Sequence, residues 1–290
     1  MIVVMGASGP TGEALVHRLL EKGQAVRAVT RDPGRLRARL DPVGVDVRYA
    51  DAADEDSLVD SFAGANQIFL AMANSPAQVD LETRVVATAA KCSIEHIVKL
   101  SAPYVAPDSP VAISRWHHAI ECALADSGIP NTLLRPYAFM QKTLNLVPDI
   151  ASAGAIYGSM GATACNFIDC RDIADVAAEV LTRPELAGAS YELTADRTYS
   201  YPQIAAMLGA LLGLRIDYVD LPADAMRRRL RERAHMPDWL AAHVVEIQQI
   251  ALARNEIPTS TVTDLLGRSP RTLEAFLAEN LDSFRPTVSH

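Results

Sequence analysis

The sequence predicts an α/β fold: helices cover both faces of a doubly wound parallel sheet, and a smaller, mainly helical C-terminal lobe follows. Two patterns support this. Apolar, strand-like runs alternate with amphipathic helical segments through about residue 135, and the helical period dominates from about residue 200. The 290 residues, 49% of them hydrophobic, are enough to form a large buried core.

The first predicted strand, residues 2–5, leads into three glycines at regular spacing, Gly6, Gly9 and Gly12. Gly6 allows a tight turn, Gly9 leaves room for a pyrophosphate, and Gly12 lets the next helix pack closely. A bare strand-to-helix turn is the alternative. An amphipathic helix and a second strand at 25–29 favour a Rossmann dinucleotide site, with the helix N-terminus facing the phosphates. The predicted loop contacts are Gly6, Ser8, Gly9, Pro10, Thr11 and Gly12.

The end of the second strand indicates which dinucleotide is bound. NAD sites usually place a carboxylate there, whereas this chain reads Thr30-Arg31-Asp32. The Arg31 guanidinium suits a ribose 2′-phosphate, with Thr30 and Arg35 as further donors. Asp32 leaves NAD open, because it could pair with an arginine or reach a ribose hydroxyl, and Arg31 could simply be solvated. NADP(H) is therefore preferred over NAD(H).

Further strands are predicted at residues 45–49, 67–72, 96–100 and 131–134. Ligands of such sheets bind beyond the carboxyl ends of the strands. The contacts predicted there are Asp51, for the adenine amino group, and Ala71, Met72 and Ala73, beside the ribose and nicotinamide. Each is alternatively a turn residue, and Asp51 would then cap the helix that begins near residue 54.

Charge and composition exclude other classes. The formal net charge of −8 disfavours nucleic-acid binding, and the arginine-rich run 227–233 is interpreted as a solvated helix face. Because no signal-like segment or membrane-length apolar run occurs, we expect a cytoplasmic protein with no membrane partner. The four cysteines lack metal-binding spacing, so no metal site is predicted.

Several segments together carry a family resemblance. The glycine loop and Leu134-Arg135-Pro136 are the most telling, and the others are residues 30–32, 116–121, 126–129, 139–140 and 167–174. On these segments the chain resembles the NmrA-like, NAD(P)H-binding branch of the atypical short-chain dehydrogenase/reductase superfamily over nearly its whole length. The resemblance implies a fold and a cofactor. Members include quinone, azo-dye and iminium reductases, and redox-sensing regulators that reduce nothing.

The resemblance also implies that the nicotinamide lies near Ser101 and the turn at 136–139. Ordinary short-chain dehydrogenases carry Tyr-x-x-x-Lys in the next helix, where this chain has His117-x-x-x-Glu121. His117 could protonate the acceptor, with Glu121 orienting it, and His118 is a competing candidate. A structural helix pair is the alternative. The predicted catalytic residues are His117, Ser101 and His118. An acceptor that forms a stable anion, such as a quinone, needs less help from a protein acid than a ketone does.

Domain boundaries follow from the change of pattern. The predicted nucleotide-binding domain comprises residues 1–150, with 165–195 returning to it, and residues 196–290 form the helical lobe. In extended relatives such a lobe supplies the substrate pocket. The predicted substrate contacts are Tyr104, Phe139 and Met140, with Tyr137 at the cofactor; plain core packing is the alternative.

Two functions from different classes remain open. The first is an oxidoreductase: an NADPH-dependent reductase of a quinone-like, conjugated, iminium or small carbonyl compound. The second is an NADP-sensing regulatory protein without turnover, and a non-redox enzyme that retains NADP is a third possibility. A small-molecule substrate is the expected partner, and the sequence leaves a homodimer as one possibility.

Overall fold

The computed structural model describes residues 1–40 and 45–285, which form two compact units. The first unit contains Met1–Pro136, Cys170–Leu193 and Thr261–Arg268; the second contains Tyr137–Asp169, Thr194–Ser260 and the chain from Ser269 onward. The predicted boundary at residue 150 lies inside the second unit. Residues from 140 to 167 belong there because their apolar side chains, including Ile150 and Phe167, pack in its core.

Strands and helices alternate strictly through the first 136 residues. In chain order they are β1 (Ile2–Met5), α1 (Pro10–Glu21), β2 (Val26–Thr30), α2 (Pro33–Arg39), β3 (Val45–Tyr49), α3 (Glu55–Phe62), β4 (Gln67–Leu70), α4 (Gln78–Lys91), β5 (His96–Leu100), α5 (Ala112–Asp126) and β6 (Asn131–Pro136).

The remaining elements divide between the two units. In chain order they are β7 (Ala138–Phe139), a 3₁₀ helix (Met140–Leu146), α6 (Val147–Ala153), β8 (Ala155–Gly158), β9 (Ala164–Ile168), α7 (Cys170–Thr182), a 3₁₀ helix (Pro184–Leu186), β10 (Ser190–Leu193), β11 (Thr198–Ser200), α8 (Tyr201–Leu212), β12 (Asp217–Asp220), α9 (Ala223–Glu232), α10 (Asp238–Ala253), α11 (Thr261–Leu266), α12 (Leu273–Glu279) and α13 (Leu281–Phe284).

The first unit is built on a seven-stranded sheet in the order β10-β6-β5-β4-β1-β2-β3, with every pair parallel. Met5 of β1 lies opposite Val29 of β2 and Leu70 of β4. Side chains of β1 pack on α3, α4 and α5, and α1 packs on α7. This confirms the predicted doubly wound sheet. Successive strands are added on one side of β1 up to β3 and on its other side from β4 onward, and sheets of this kind bind ligands at that switch between β1 and β4.

The second unit combines small sheets with helices. β9 pairs antiparallel with β11 and parallel with β7, and β8 pairs parallel with β12. The helical pattern predicted from about residue 200 begins with α8, whose N-terminus has a capping box between Ser200 and Gln203. The segment from 156 to 164 is glycine-rich and shows no clear period in the sequence, yet it contains most of β8. None of the described helices is long and apolar enough to cross a membrane.

Candidate active site

The glycine loop joins β1 to α1 at the carboxyl edge of the sheet. Gly6 has φ +81°, and a Cβ there would lie 2.3 Å from the Ala71 carbonyl oxygen. A Cβ on Gly12 would lie 2.2 Å from the Gly6 carbonyl oxygen. Both positions therefore require glycine for the fold itself. At Gly9, by contrast, a Cβ would meet only the Gly6 oxygen at 3.4 Å, so packing does not require glycine there, and the close approach of a pyrophosphate stays a prediction.

The N-terminus of α1 is open to an anion. Gly9 is the N-cap and supplies no side-chain cap, and Pro10 occupies the first turn. Thr11 is buried and Ser8 is exposed. Uncapped N–H groups and the positive end of a twelve-residue helix favour a phosphate at this point. The loop thus fits the pyrophosphate of a dinucleotide.

Arg39, at the end of α2, is a site residue that the sequence analysis missed. Its Nη1 donates to the Ser8 carbonyl oxygen at 2.9 Å, and its Nη2 pairs with Glu13 of α1. The guanidinium therefore holds the glycine loop. Its partners lie 31 and 26 residues away in sequence, so no local pattern could have indicated them.

The residues after β2 separate into two roles. Asp32 is the N-cap of α2 and accepts from the Arg35 backbone N–H at 3.0 Å, and its own N–H donates to the Thr30 hydroxyl at 3.2 Å. Arg31 is exposed, and among the described residues its side chain has no hydrogen-bond or ion-pair partner. The carboxylate that left NAD open thus serves as a helix cap, while the Arg31 guanidinium is available for a ligand.

The residues that follow β3 and β4 would contact a ligand mostly through backbone atoms. One carboxylate oxygen of Asp51 accepts from the Ala53 N–H at 2.9 Å, and Asp54, not Asp51, caps α3. Ala71 is buried against Gly6, Met72 is half-buried on the core, and Ala73 is exposed. Parallel pairing brings these ends to the same edge as Gly6 and Thr30.

Ser101 follows β5 and is tied into a charged network. Its hydroxyl donates to Oε1 of Glu121 at 2.6 Å. Arg135 of β6 donates two hydrogen bonds to the same carboxylate: Nε lies 3.1 Å from Oε1, and Nη2 lies 2.5 Å from Oε2. A forked arginine–carboxylate pair of this kind is geometrically specific. Glu121 thereby accepts the Ser101 proton and holds the hydroxyl in one orientation.

The two histidines of α5 occupy different environments. His117 is 5% exposed and lies on the buried face of the helix with Ile113 and Ile120. His118 is half-buried, and its Nε2 lies 3.6 Å from Sγ of the exposed Cys122.

Tyr104 lies in the loop between β5 and α5 and has φ +58°, an unfavourable backbone conformation for a bulky side chain. Strain of this type is retained where the surroundings or a function require it. Its role as a substrate contact stays a prediction.

Three of the predicted ligand contacts lie at the start of the second unit. Tyr137 is 8% exposed, Phe139 is half-buried in β7, and Met140 is completely buried in the core of the unit. The packing of Met140 matches the core alternative left open by the sequence. Ligand binding by these three residues also stays a prediction.

The comparisons with known proteins agree with this geometry. The NmrA-like family profile matches residues 1–277. A (4-alkanoyl-5-oxo-2,5-dihydrofuran-3-yl)methyl phosphate reductase from Streptomyces griseus is 34% identical over 288 residues, covering 99% of this chain and 100% of the relative. An NAD(P)H azoreductase from Xenophilus azovorans is 29% identical and covers 98% and 99% of the two chains.

Among solved structures, an NADPH-dependent quinone oxidoreductase from Escherichia coli, complexed with NADPH, superposes with a TM-score of 0.85 at 26% identity. The alignment covers 97% of this chain and 99% of that structure. The glycine loop, the sheet order and the full-length matches lead to one conclusion: the chain belongs to the NmrA-like family and is an NAD(P)H-dependent oxidoreductase.

Proposed function

We propose that this protein is an NADPH-dependent reductase that transfers a hydride to a small conjugated acceptor: a quinone-like, iminium or conjugated carbonyl compound. One observation carries the proposal. An intact dinucleotide loop stands in the same unit as a helix, α5, that has His117 and Glu121 where ordinary ketoreductases have tyrosine and lysine. The substrate named for the Streptomyces relative has a ring C=C conjugated to carbonyl groups, an acceptor of this type.

NADPH supplies the hydride when it is bound. Gly6, Gly9 and the N-terminus of α1 would hold its pyrophosphate, because that helix end offers N–H donors and a positive dipole. Arg31 would hold the 2′-phosphate through forked hydrogen bonds. The competing carboxylate, Asp32, is engaged as the cap of α2. These contacts support NADP(H) over NAD(H).

Reduction of a quinone-like acceptor adds one hydride and one proton, so a proton source is needed. Ser101 is poorly suited to that role, because its proton is already donated to Glu121. Its oxygen can instead accept a hydrogen bond from an N–H or O–H group of a bound molecule. We assign proton donation to His117, since imidazoles exchange protons near neutral pH. Glu121 and Arg135 act as positioning residues for the Ser101 hydroxyl.

NADPH oxidation across a substrate panel tests the proposal. Cofactor binding is followed by fluorescence, and turnover by loss of NADPH absorbance with quinones, azo dyes, iminium compounds and aliphatic ketones. We expect turnover of the conjugated acceptors and little with aliphatic ketones. Tight NADPH binding without oxidation of any compound would contradict the proposal and favour a dinucleotide-sensing protein.

Two variants sharpen this experiment. His117→Gln should lower kcat and leave the Kd for NADPH unchanged, because the side chain acts on the acceptor. His118→Gln, one position along the same helix, is the matched control and should leave both quantities unchanged. If His118→Gln lowered kcat and His117→Gln did not, the proton donor would be His118.

A further inference from the structure

A cavity of about 420 Å³ lies in the first unit, at the amino ends of the strands of the seven-stranded sheet. Its wall includes the first residues of three neighbouring strands, Ile2 of β1, Gln67 of β4 and His96 of β5. The glycine loop follows the carboxyl end of β1, so the cavity lies at the opposite edge of the sheet. Its volume lies within the range of small-molecule sites.

His96 lines this cavity and is 7% exposed. Its Nε2 lies 2.9 Å from the hydroxyl oxygen of Thr132, a side chain with no exposed surface. The same hydroxyl accepts from the Gly188 backbone N–H at 3.0 Å and has no other acceptor for its own proton among the described residues. Because a buried hydroxyl proton needs an acceptor, Thr132 donates to His96 Nε2.

This hydrogen bond determines where the imidazole carries its own proton. Burial lowers the pKa of His96 and so favours the neutral ring, which has a single N–H. With Nε2 as an acceptor, that proton is on Nδ1. Nδ1 has no hydrogen-bond partner among the described residues and, unlike Nδ1 of His243, is not completely buried. His96 thus presents an unpaired N–H donor at the wall of the cavity.

The neighbouring strand adds a second unpaired donor. Gln67 lies opposite His96 in the parallel β4–β5 pair, so both side chains stand on one face of the sheet, on strands about 5 Å apart. The Gln67 side chain makes no hydrogen bond with the described residues, and its Nε2 keeps accessible surface, whereas its Oε1 is completely buried. Two adjacent N–H donors at one cavity favour a ligand with an acceptor atom.

The charges at the cavity favour an uncharged ligand. Among the residues of the wall, only the Met1 ammonium and the Glu95 carboxylate are charged near pH 7. Both bind the exposed Asn66: the ammonium donates to Oδ1 at 3.2 Å, and Nδ2 donates to the carboxylate at 3.3 Å. The two charges offset each other, so the wall has no net charge to compensate an ion that leaves water.

We propose that this cavity binds a small, uncharged carboxamide whose carbonyl oxygen accepts hydrogen bonds from His96 Nδ1 and Gln67 Nε2. The half-buried Gln24 side chain, which has no partner in the described part of the chain, accepts from the amide N–H of the ligand. Val180 and Leu181 of α7 contact its apolar part. The site does not depend on hydride transfer.

Benzamide is the probe, because it joins a carboxamide to an apolar ring. It is titrated into the NADPH-saturated protein while NMR follows the imidazoles of the seven histidines. We expect His96, identified by the loss of its signals in His96→Leu, to show the Nδ1–H tautomer and to shift with benzamide. Benzoate has the same shape and a negative charge, and it should bind about tenfold more weakly. Unshifted His96 signals, or tighter binding of benzoate, would overturn the proposal.

Two variants of Thr132 test the assigned proton directly. Thr132→Val removes the hydroxyl that donates to His96 Nε2, so the Nδ1–H tautomer is no longer fixed, and the affinity for benzamide should fall about tenfold. Thr132→Ser keeps the hydroxyl and is the matched control, with an affinity close to that of the wild type. Equal affinities of the two variants would show that the His96 N–H does not hold the ligand.

A variant at the mouth of the cavity leaves the buried groups intact. Ala187 is exposed and lines the cavity. Ala187→Trp should block the cavity and abolish the benzamide shift of His96 without lowering the Tm, whereas Ala125→Trp, at an exposed position of α5 outside the wall, should keep it. A full benzamide shift in Ala187→Trp would refute binding in this cavity. Because none of these titrations needs turnover, failure of the reductase proposal would not affect them.

Discussion

Gly9 and Gly12 are both glycine, yet the protein needs them for different reasons. Gly12 lies where α1 crosses the loop, and a Cβ would clash with backbone atoms of Gly6 and Ala7 at 2.2 to 2.9 Å. Gly9 has φ −89° and space for a methyl group. Gly12 serves helix packing, and we expect Gly9 to serve the close approach of the ligand.

The Gly9→Ala variant should therefore fold but fail to bind NADPH. We expect a change in the free energy of unfolding within about 1 kcal/mol and a large loss of NADPH affinity, measured by urea denaturation and cofactor fluorescence. Gly12→Ala should lose about 3 kcal/mol or more, because a methyl group would be forced against backbone. Equal stability losses in the two variants would refute this division of roles.

Arg31 and Arg39 are both arginines near the glycine loop, but only one is engaged by the protein. Arg39 holds the loop through Ser8 and Glu13. Arg31 has no partner in the described part of the chain. The Arg31 guanidinium can therefore discriminate NADP(H) from NAD(H). The Arg39 guanidinium supports the glycine loop, whichever of the two dinucleotides is bound.

Arg31→Ala should raise the KM for NADPH at least about tenfold, since a forked phosphate contact is lost, and leave the KM for NADH nearly unchanged. Arg39→Ala is the control and should raise both constants by similar factors. Steady-state kinetics with the two cofactors provide the measurement. An Arg31→Ala variant that affected NADH as much as NADPH would remove the basis for NADP preference.

At the scale of elements, a charge pair joins β5 to α4. Lys99 Nζ lies 2.8 Å from Glu82 Oε2, and both side chains are completely buried. Gln78 donates to the other carboxylate oxygen, Oε1, at 2.8 Å, and Lys99 also donates to the Leu100 carbonyl oxygen. Removal of one partner would leave a buried charge without compensation.

Lys99→Met should destabilise the protein by about 3–5 kcal/mol. Lys99→Met/Glu82→Gln removes both charges and keeps a partner for Gln78, so it should recover most of that loss. The free energy of unfolding in urea at pH 7 distinguishes the two variants. A double variant as unstable as Lys99→Met would show that the pair contributes through packing and hydrogen bonds, not through its charges.

For the whole molecule, each unit contains a buried histidine that burial keeps uncharged. Burial lowers the pKa of His96 in the first unit, where Nε2 lies 2.9 Å from the Thr132 hydroxyl oxygen. Burial, together with Lys142, lowers that of His243 to about 4. In the unfolded chain these histidines take up protons below about pH 6.5.

The unfolded state therefore binds more protons than the native state as the pH falls, and stability is lost in acid. The contribution of His243 is fully present above about pH 6.5 and is lost progressively towards pH 4. We expect His243→Leu to lose about 1–2 kcal/mol less than wild type between pH 7 and pH 5. Parallel pH profiles of urea unfolding for the two proteins would contradict the burial of a neutral imidazole.

Strand-forming runs separated by helical periods determined the doubly wound sheet, and the three glycines identified the phosphate loop, because periodicity and turn chemistry act over a few residues. The same local signals predicted helices from about residue 200, where α8 begins. They missed β7, with two residues, and did not resolve β8, with four. Strands this short depend on their pairing partners, which lie far away in sequence.

The sequence by itself therefore determined the fold class, the cofactor loop and the resemblance to a family. The tertiary structure decided which side chains are already engaged. The Ser101 hydroxyl binds Glu121, 20 residues away, the Arg39 guanidinium binds the Ser8 backbone carbonyl oxygen, 31 residues away, and the Ser159 hydroxyl binds Gln248, 89 residues away. It also left Arg31 and His96 Nδ1 without partners among the described residues. Hydrogen-bond partners depend on contacts between distant segments, so only the folded chain shows which donors and acceptors remain for a ligand.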